Sequence, residues 1–324
     1  MGYQKWPTGM DGKRTIGDRK RVREDYREGL TMVETVVEDT YCEAFPAWVS
    51  RIVISAETIE WARHAATSAV GFATSVIGCG IEAGIEKAPV TAPDERPAVA
   101  VIFAGMKKDS VAKAVATRVG QCVLTCATTS AYDGHRDRTD GITFALGKSL
   151  RYFGDGYQMS KVIAGRRIWR IPVMDGEFVV DDMMTVSPGV AGGNLILIGP
   201  RDLLLSEVPA IQEEMQGSGV ILPFPGGVVR SGSKVGSKYR FMSASTNHAY
   251  VPGLRSLSDN VLPQSYIAYE IVVDGVSDEA VRASLIRGLH RARQRIPIVS
   301  AGNYGGRLGP YQYRLHDLVQ EDPA

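Results

Sequence analysis

Short apolar runs alternate with helix-periodic segments along most of the chain. In the first part, the strand-like runs are RIVIS, TSVIGCGI, AVAVIFAG and CVLTCATTS, and they enclose two helix-periodic segments. One of these segments, KKDSVAKAVATRVGQ, places Val111, Val115 and Val119 on one helical face and ends near Gly120. The order β-α-β-β-α-β is typical of a ferredoxin-like unit, in which helices cover one face of a mainly antiparallel sheet.

The same order begins again at GGNLILIG. A helix is predicted in SEVPAIQEEMQGSG, with Ser206 as N-cap and Pro209 in the first turn. VILPFP and SYIAYEIVVDG predict the next two strands, SDEAVRASLIRGLHRARQR predicts a helix capped by Ser277, and IVSAG and YQYRLHDL predict the closing strands. The pattern therefore predicts an α+β protein with two ferredoxin-like lobes that arose from an internal duplication.

Between the two copies, RRIWRIPVMDGEFVVDD alternates like a β-meander inserted between the lobes. We place the N-terminal lobe at residues 34–172 and the C-terminal lobe at residues 173–324. Residues 1–33 form a separate N-terminal extension, because they carry charges of both signs and almost no apolar periodicity.

Composition excludes several classes of protein. A length of 324 residues suffices for two hydrophobic cores, and a net charge of +1 predicts no general attraction to nucleic acid or acidic membranes. No apolar run approaches the roughly 20 residues of a membrane span, and the N-terminus lacks an apolar signal core, so we expect a cytoplasmic protein. The four cysteines have no Cys/His partner pair that would complete a metal site, which predicts reduced thiols.

The segment FPGGVVRSGSKVGSKY, residues 224–239, predicts an anion-binding loop. Its glycines allow close backbone approach, and Lys234 and Lys238 add positive charge. It is not a nucleotide phosphate loop, because Ser233 occupies the position of the required lysine after Gly227 and Gly232. The alternative is a flexible surface loop.

Ten segments occur in the order found in one known family. They are EDTYCEAFPAWVSRIVISA, GFATSVIGCGIEAGI, VGQCVLT, FGDGYQ, RRIWRIPVMDGEFVVDD, PGVAGGN, FPGGVVRSGSKVGSKY, ASTNHAY, YEIVVDG and SAGNYGG. Together they resemble formylmethanofuran:tetrahydromethanopterin formyltransferases over roughly Glu34 to Leu318. The chain departs from the family pattern at Ala73, where glycine is common, and at His248, where aspartate is common.

The resemblance implies a homo-oligomeric transferase, typically a tetramer, that moves a formyl group from formylmethanofuran or an analogue to N5 of tetrahydromethanopterin. It implies no metal and no tightly bound cofactor, because methanofuran and tetrahydromethanopterin are substrates. Both carriers are long and anionic, which fits the predicted anion-binding loop. The departures from the archaeal pattern favour a bacterial one-carbon oxidation pathway, in which the transferase assembles with hydrolase subunits.

The resemblance also implies that Glu270 is the catalytic carboxylate. Independently, the alternation of YIAYEIVVDG places Glu270 on one strand face with Tyr266, Ala268 and Val272, which predicts a desolvated carboxyl with a pKa above the usual value of about 4.3. The matching segments supply the candidate substrate-binding residues: Phe72, Thr74, Ser75, Asp155, Tyr157, Pro225, Gly226, Gly227, Ser233, Lys234, Ser237, Lys238, Thr246, Asn247 and Asn303.

Two other functions are compatible with this fold. The first is a non-catalytic carrier-binding or scaffold subunit of a formyltransferase/hydrolase complex. The second is a nucleic-acid-binding protein, but the chain lacks both the aromatic RNA-binding signature and a basic excess. The presence of Glu270, Lys234 and Lys238 favours catalysis.

Overall fold

The computed structural model describes residues 34–231, 234–257, 262–302 and 308–322. The predicted extension 1–33 and the candidate residues Ser233 and Asn303 lie outside the described residues. The strands are β1 (Val36–Val37), β2 (Tyr41–Ser55), β3 (Glu82–Glu86), β4 (Ala98–Gly105), β5 (Ser130–Asp133), β6 (Ile142–Phe144), β7 (Met159–Ile163), β8 (Arg166–Val173), β9 (Gly176–Asp181), β10 (Met184–Pro200), β11 (Val220–Ile221), β12 (Lys234–Val235), β13 (Ala244–Ser245), β14 (Tyr266–Gly275), β15 (Ile298–Ser300) and β16 (Tyr311–Arg314). The α-helices are α1 (Ile59–Val70), α2 (Val76–Cys79), α3 (Lys108–Arg118), α4 (Leu146–Leu150), α5 (Arg201–Met215), α6 (Asp278–Ala292) and α7 (Leu315–Leu318).

The architecture is mixed α+β around one large sheet. Fourteen of the strands form this sheet, while β12 and β13 form a separate two-stranded ribbon. The long strand β10 joins the two halves of the sheet: Ser187–Ala191 pair with β2, and Gly193–Pro200 pair with β14. The register shifts between Val190 and Gly193, where Gly192 adopts a left-handed conformation with φ of 82°. This bulge changes the partner strand without ending β10.

In the first half, the antiparallel neighbours run in the order β3-β4-β2-β5. Helix α1 buries Ala62, Ala65, Ala66 and Ala69, small side chains that allow the helix to approach the sheet closely. Together with Val111 and Val115 of α3 they belong to one hydrophobic core with β2 and β4. The predicted β-meander is confirmed, because β7, β8 and β9 pair antiparallel in sequence order.

In the second half, the antiparallel neighbours run in the order β11-β14-β10-β15. Helices α5 and α6 cover one face of these strands and bury their apolar residues in a second core with Leu195, Leu197, Ile271 and Val273. The predicted cap of α6 is confirmed, because the Ser277 side chain accepts a hydrogen bond from the Ala280 N–H. None of the described helices is long and apolar enough to cross a membrane.

Two short apolar runs were assigned wrongly to strands, and in a third the predicted strand forms only in part. In TSVIGCGI, residues Val76–Cys79 form helix α2, and β3 begins only at Glu82. In CVLTCATTS, the chain first continues a π-helical turn over Val119–Val123, and β5 begins at Ser130. In YQYRLHDL, the strand ends at Arg314 and a helical turn follows. Short apolar runs do not distinguish a strand from a buried helical turn, so tertiary packing decides between them.

The start of α5 was also predicted wrongly. The helix begins at Arg201, and Ser206 lies inside it, where its hydroxyl donates to the Leu203 carbonyl. Pro209 therefore lies in the helix interior, where it removes one backbone hydrogen bond, and does not mark the first turn.

Residues 222–265 separate β11 from β14, and their described parts run outside the large sheet; we call this segment the excursion. It contains the Gly/Ser/Lys segment of the sequence analysis and the β12–β13 ribbon. The excursion matters for function because it approaches the sheet face opposite helices α5 and α6, as described below.

Candidate functional site

Glu270 lies in the middle of β14, directly opposite Ile196 of β10. Residues Leu195, Leu197 and Ile271 face the helices, so Glu270 and Ile196 face the other side of the sheet. On that side Ile196, Tyr266 and Ala268 pack with Leu262 and Tyr250 of the excursion. The predicted sharing of one strand face by Glu270, Tyr266 and Ala268 agrees with this packing. Glu270 is 8% exposed, so its carboxyl lies under the excursion with little access to bulk water.

Asn194 of β10 is the described side chain that hydrogen bonds to the Glu270 carboxyl. Its Nδ2 donates to Oε1 of Glu270 at 2.5 Å, and its Oδ1 accepts from the Gly302 N–H at 3.1 Å. Asn194 pairs with Val272 in the ladder, so it is a diagonal neighbour of Glu270 on the same face. Because Asn194 is itself buried, its amide is held at both ends in a dry environment.

Burial controls the protonation of this cluster. It raises the pKa of Glu270 to about 7, while the Asn194 hydrogen bond opposes that shift by stabilising the carboxylate. Below Asn194, the Sγ of Cys42 accepts the Asn194 backbone N–H at 2.9 Å. Burial raises the pKa of Cys42 to about 12, with a smaller contribution from the negative charge of Glu270, so this thiol is neutral. The site therefore contains a carboxyl group that can be neutral or ionised near pH 7.

The excursion is attached to β14 at Glu270 itself. Val229 and Glu270 form an isolated antiparallel bridge: the Val229 N–H donates to the Glu270 carbonyl at 2.7 Å, and the Glu270 N–H donates to the Val229 carbonyl at 3.1 Å. Just before the bridge, Pro225–Gly227 form a 3₁₀ turn, and Nε2 of Gln212 on α5 donates to the Gly226 carbonyl at 2.7 Å. Gly227 needs its positive φ of 70°, and a Cβ there would meet the Gln212 amide. The turn and the bridge thus fix where the loop passes the carboxyl.

A pocket that opens to solvent lies over this bridge. Its floor is formed by Ile196, Ala268 and Glu270, and its sides by the excursion. The residues that line it are Ile196, Val229, Arg230, Thr246, Asn247, Tyr250, Val251, Ala268, Tyr269 and Glu270. An apolar floor with a few convergent polar groups is typical of a small-molecule site, and Glu270 is its titratable group with a raised pKa.

Further along the excursion, the β12–β13 ribbon presents the predicted lysines. Lys234 pairs with Ser245 in the ribbon, and the Ser245 hydroxyl donates to the Gly236 carbonyl at 2.8 Å. The Ser237 hydroxyl accepts the Tyr239 N–H at 3.1 Å, so it caps the next turn. Lys234 and Lys238 are both exposed, as expected of groups that would meet an anion at the surface.

The candidate residues of the first half lie on two surface turns. Phe72 is 81% exposed with a φ of 51°, and Nη1 and Nη2 of Arg118 donate to the Gly71 and Phe72 carbonyls at 2.5 and 3.1 Å. Thr74 and Ser75 follow, and the Ser75 hydroxyl accepts the Ile77 N–H at the start of α2.

The second turn follows the short helix α4. Asp155 has a φ of 49° after a 3₁₀ turn, and Tyr157 is 80% exposed. Neither turn contributes a lining residue to the pocket at Glu270.

Of the predicted residues, the structure brings Glu270, Thr246 and Asn247 together in one pocket, and it places Pro225, Gly226 and Gly227 in the turn that precedes the pocket. Sequence reasoning missed Asn194, Arg230 and Tyr250. A signal for Asn194 was available, because it is the polar residue within the apolar strand GGNLILIG. Among the described residues no group of three or more His, Cys, Asp or Glu side chains could hold a metal ion.

The family of the chain follows from comparisons with known proteins. The family model "Formylmethanofuran-tetrahydromethanopterin formyltransferase" matches residues 30–173, and the model of the family's proximal lobe matches residues 176–318. The formyltransferase of Methylobacillus flagellatus is 44% identical over 295 residues, which cover 87% of this chain and 97% of that protein.

Two solved structures share the fold. The crystal structure of the formyltransferase/hydrolase complex from Methylorubrum extorquens with methylofuran contains a chain that is 41% identical, with a TM-score of 0.84 over 90% of this chain and 99% of that chain. The Methanosarcina barkeri formyltransferase is 38% identical, with a TM-score of 0.83 over 89% of this chain and 100% of that chain. Two family models that together span both halves of the chain, and relatives of this identity and coverage, show that the chain belongs to the formylmethanofuran-tetrahydromethanopterin formyltransferase family.

Proposed function

We propose that this chain transfers a formyl group between formylmethanofuran, or an analogue of methanofuran, and N5 of tetrahydromethanopterin, and that the reaction takes place in the pocket at Glu270. The observation that supports this site is the buried Glu270 carboxyl at the base of an open pocket, with its pKa raised to about 7. The carriers are substrates that leave after each turnover, and family membership of the chain supports their identity.

Glu270 acts in this proposal as a hydrogen-bond donor to the reacting oxygen. When an amine attacks a formamide, a tetrahedral intermediate forms and the formyl oxygen gains negative charge. A neutral carboxyl group can donate a hydrogen bond to that oxyanion, and because it is uncharged its burial requires no desolvation of a charge. One such donor contributes ~10²–10³ in kcat, or about 2.7–4 kcal/mol. A pKa of about 7 leaves a large neutral fraction at neutral pH, which this role requires.

The excursion acts in carrier binding. Thr246 and Asn247 line the pocket and hold the reacting end of a carrier, while Lys234 and Lys238 bind its anionic groups. Ser237 and the Pro225–Gly227 turn shape the loop between these positions. Phe72, Thr74, Ser75, Asp155 and Tyr157 bind more distant parts of the carriers; their exposure and positions on surface turns are compatible with this role.

The chain consists, in this proposal, of two ferredoxin-like lobes at residues 34–172 and 173–324. The strand orders β3-β4-β2-β5 and β11-β14-β10-β15 support this division. In each order, the first and third strands of the β-α-β-β-α-β unit, β2 with β4 and β10 with β14, are neighbours at the centre. The second lobe carries the excursion between its second and third strands. In this proposal the sheet of the second lobe supplies Glu270, and the excursion supplies the carrier-binding residues.

We also propose that the chain forms a homo-oligomer, such as a tetramer, and assembles with hydrolase subunits. Assembly with hydrolase subunits is supported by one solved relative, which is part of a formyltransferase/hydrolase complex with methylofuran, and the homo-oligomer rests on the family resemblance alone. A scaffold subunit without activity would need neither a buried carboxyl nor an open pocket beside it, so the geometry at Glu270 favours catalysis.

The experiment that tests the proposal is a spectrophotometric assay of formyl transfer with the purified chain and the two carriers. We expect transfer by the wild type, and a loss of kcat in Glu270→Ala of about 10²–10³. If oxyanion stabilisation dominates, Glu270→Gln, which keeps an N–H donor, retains far more activity than Glu270→Ala. Activity of Glu270→Ala within tenfold of the wild type would show that Glu270 is not catalytic.

A further inference from the structure

Asn194, which lies outside the pocket, fixes the orientation of the Glu270 carboxyl group. The Asn194 amide lies between the Gly302 backbone N–H and the Glu270 carboxyl. A backbone N–H can only donate, so the atom of Asn194 that faces it must be the carbonyl oxygen Oδ1. The NH₂ group then faces Glu270 and donates to Oε1, which rules out the flipped orientation of the amide.

This arrangement distinguishes the two carboxyl oxygens. Oε1 accepts the Asn194 N–H, so in the neutral carboxylic acid it serves as the carbonyl oxygen and the proton resides on Oε2. Among the described residues no group hydrogen bonds to Oε2, and the Glu270 side chain lines the pocket. The second oxygen is therefore available to a bound substrate.

We infer that Asn194 is a positioning residue, which holds Oε1 of Glu270 and thereby directs the proton on Oε2 into the pocket. This inference rests on the proposed catalytic role of Glu270 and adds which oxygen acts and what orients it. Asn194 does not line the pocket, its side chain hydrogen bonds to Glu270 and Gly302, and its backbone N–H donates to Cys42, so its effect on the reaction passes through the carboxyl.

Several charged or titratable groups surround the Glu270 carboxyl, but its hydrogen-bond donor among the described residues is the neutral amide of Asn194. Cys42 of β2 lies beneath it, Tyr266 and Tyr269 flank it on β14, and Arg230 and Tyr250 of the excursion line the same pocket. None of these groups donates a hydrogen bond to Glu270 in the described part of the chain, whereas the amide of Asn194 does. Removal of that amide therefore removes the hydrogen bond that favours the carboxylate, and the pKa of Glu270 rises.

The test measures the Glu270 carboxyl directly. Difference infrared spectra of the wild type against Glu270→Gln isolate the C=O band of the neutral carboxyl, and its intensity against pH gives the pKa without any turnover. In Asn194→Ala we expect this pKa to rise by roughly one to two units, because a hydrogen bond to a charged group is lost. We expect the descending limb of the kcat/KM profile to move to higher pH by the same amount. At low pH, kcat should fall while KM for both carriers stays within about twofold.

Two further variants keep the test decisive. Asn194→Asp has the same shape and retains an oxygen that accepts the Gly302 N–H, so it replaces Asn194→Ala if that variant does not fold. In Asn194→Asp the two neighbouring carboxyls share one proton, so the titration of Glu270 also moves to higher pH. Ser284→Ala removes a buried hydrogen bond to the Met215 carbonyl on the helix-covered side and should leave the Glu270 titration unchanged. An unshifted carboxyl titration in a folded Asn194 variant would overturn the inference, even if Glu270→Ala proves that Glu270 is catalytic. Full activity of Glu270→Ala would instead refute the proposed function.

Discussion

Val229 and Glu270 exchange both of their backbone hydrogen bonds, at N···O distances of 2.7 and 3.1 Å. The bridge joins the excursion to β14 at the residue whose side chain we place at the reaction centre. Two backbone hydrogen bonds therefore couple the position of the excursion to that of the Glu270 carboxyl. A change that breaks the bridge should displace the excursion relative to the carboxyl.

The bridge predicts a difference between two substitutions of Val229. Val229→Pro removes the N–H that donates to the Glu270 carbonyl, so the loop loses its attachment and we expect kcat/KM to fall by about 10²-fold through misplacement of the substrate. Val229→Ala keeps both backbone hydrogen bonds and should lose less than tenfold. Circular dichroism and thermal unfolding of both variants control for the fold, and equal activity of the two variants would contradict a role for the bridge.

The protonation of Glu270 predicts the pH dependence of the reaction. In the proposed mechanism the neutral carboxyl of Glu270 is the hydrogen-bond donor. Burial raises its pKa to about 7, so activity should be full below that pH and decrease as the pH rises through it. Glu270→Gln cannot ionise and should lack this limb while keeping a lower plateau. A kcat/KM profile that instead rises through pH 7 would mean that the carboxylate, acting as a base, is the active form.

The sequence predicted the parts of this site that depend on local pattern. The alternation of YIAYEIVVDG places Glu270 on one strand face with Tyr266 and Ala268, and the glycines of 224–239 predict a loop. The paired strands and helices of both halves were predicted for the same reason, since their periodicity is set by residues close in the chain.

Contacts between distant residues could not be predicted in this way. Asn194 and Glu270 are 76 residues apart, and they meet only because β10 and β14 pair in one register out of several possible. The same limit explains α2 and the π-helical turn, where packing overrides an apolar run that looks like a strand. Resemblance to a family implies a catalytic role for Glu270, but its hydrogen-bond partner Asn194 is found only from the tertiary structure.

The exposed lysines of the ribbon predict an electrostatic effect on binding. Lys234→Ala and Lys238→Ala each remove one charge that would bind a carrier carboxylate or phosphate, and we expect a rise in KM for one carrier that corresponds to about 1.5–3 kcal/mol. The effect should shrink as salt is added, because exposed charges are screened, and kcat should change little. Lys161→Ala, an exposed lysine of β7, is the matched control. Unchanged KM for both carriers in both variants would make the loop structural only.

A buried carboxyl pair lies farther along β14 and predicts how stability depends on pH. Asp274 of β14 and Glu82 of β3 face each other where the two halves of the sheet meet, and Asp274 also accepts the Gly192 N–H of the β10 bulge at 2.9 Å. Burial, together with the negative charge of Glu82, raises the pKa of Asp274 well above its usual range, and burial raises the pKa of Glu82. The folded pair therefore retains a proton that the unfolded chain releases at a lower pH.

The sign of the effect follows from that proton. Because the folded state binds more protons, the free energy of unfolding should be highest below the unfolded carboxyl pKa of about 4 and decrease as the pH rises, by about 1.4 kcal/mol per pH unit for one proton. The Gln side chain in Glu82→Gln does not titrate and can donate an N–H to Asp274, so we expect this variant to reduce the slope and to be more stable than the wild type above pH 7. Urea unfolding between pH 5 and pH 8.5 measures it, with the exposed Glu214→Gln as control. The same slope in Glu82→Gln as in the wild type would show that the pair does not share a proton.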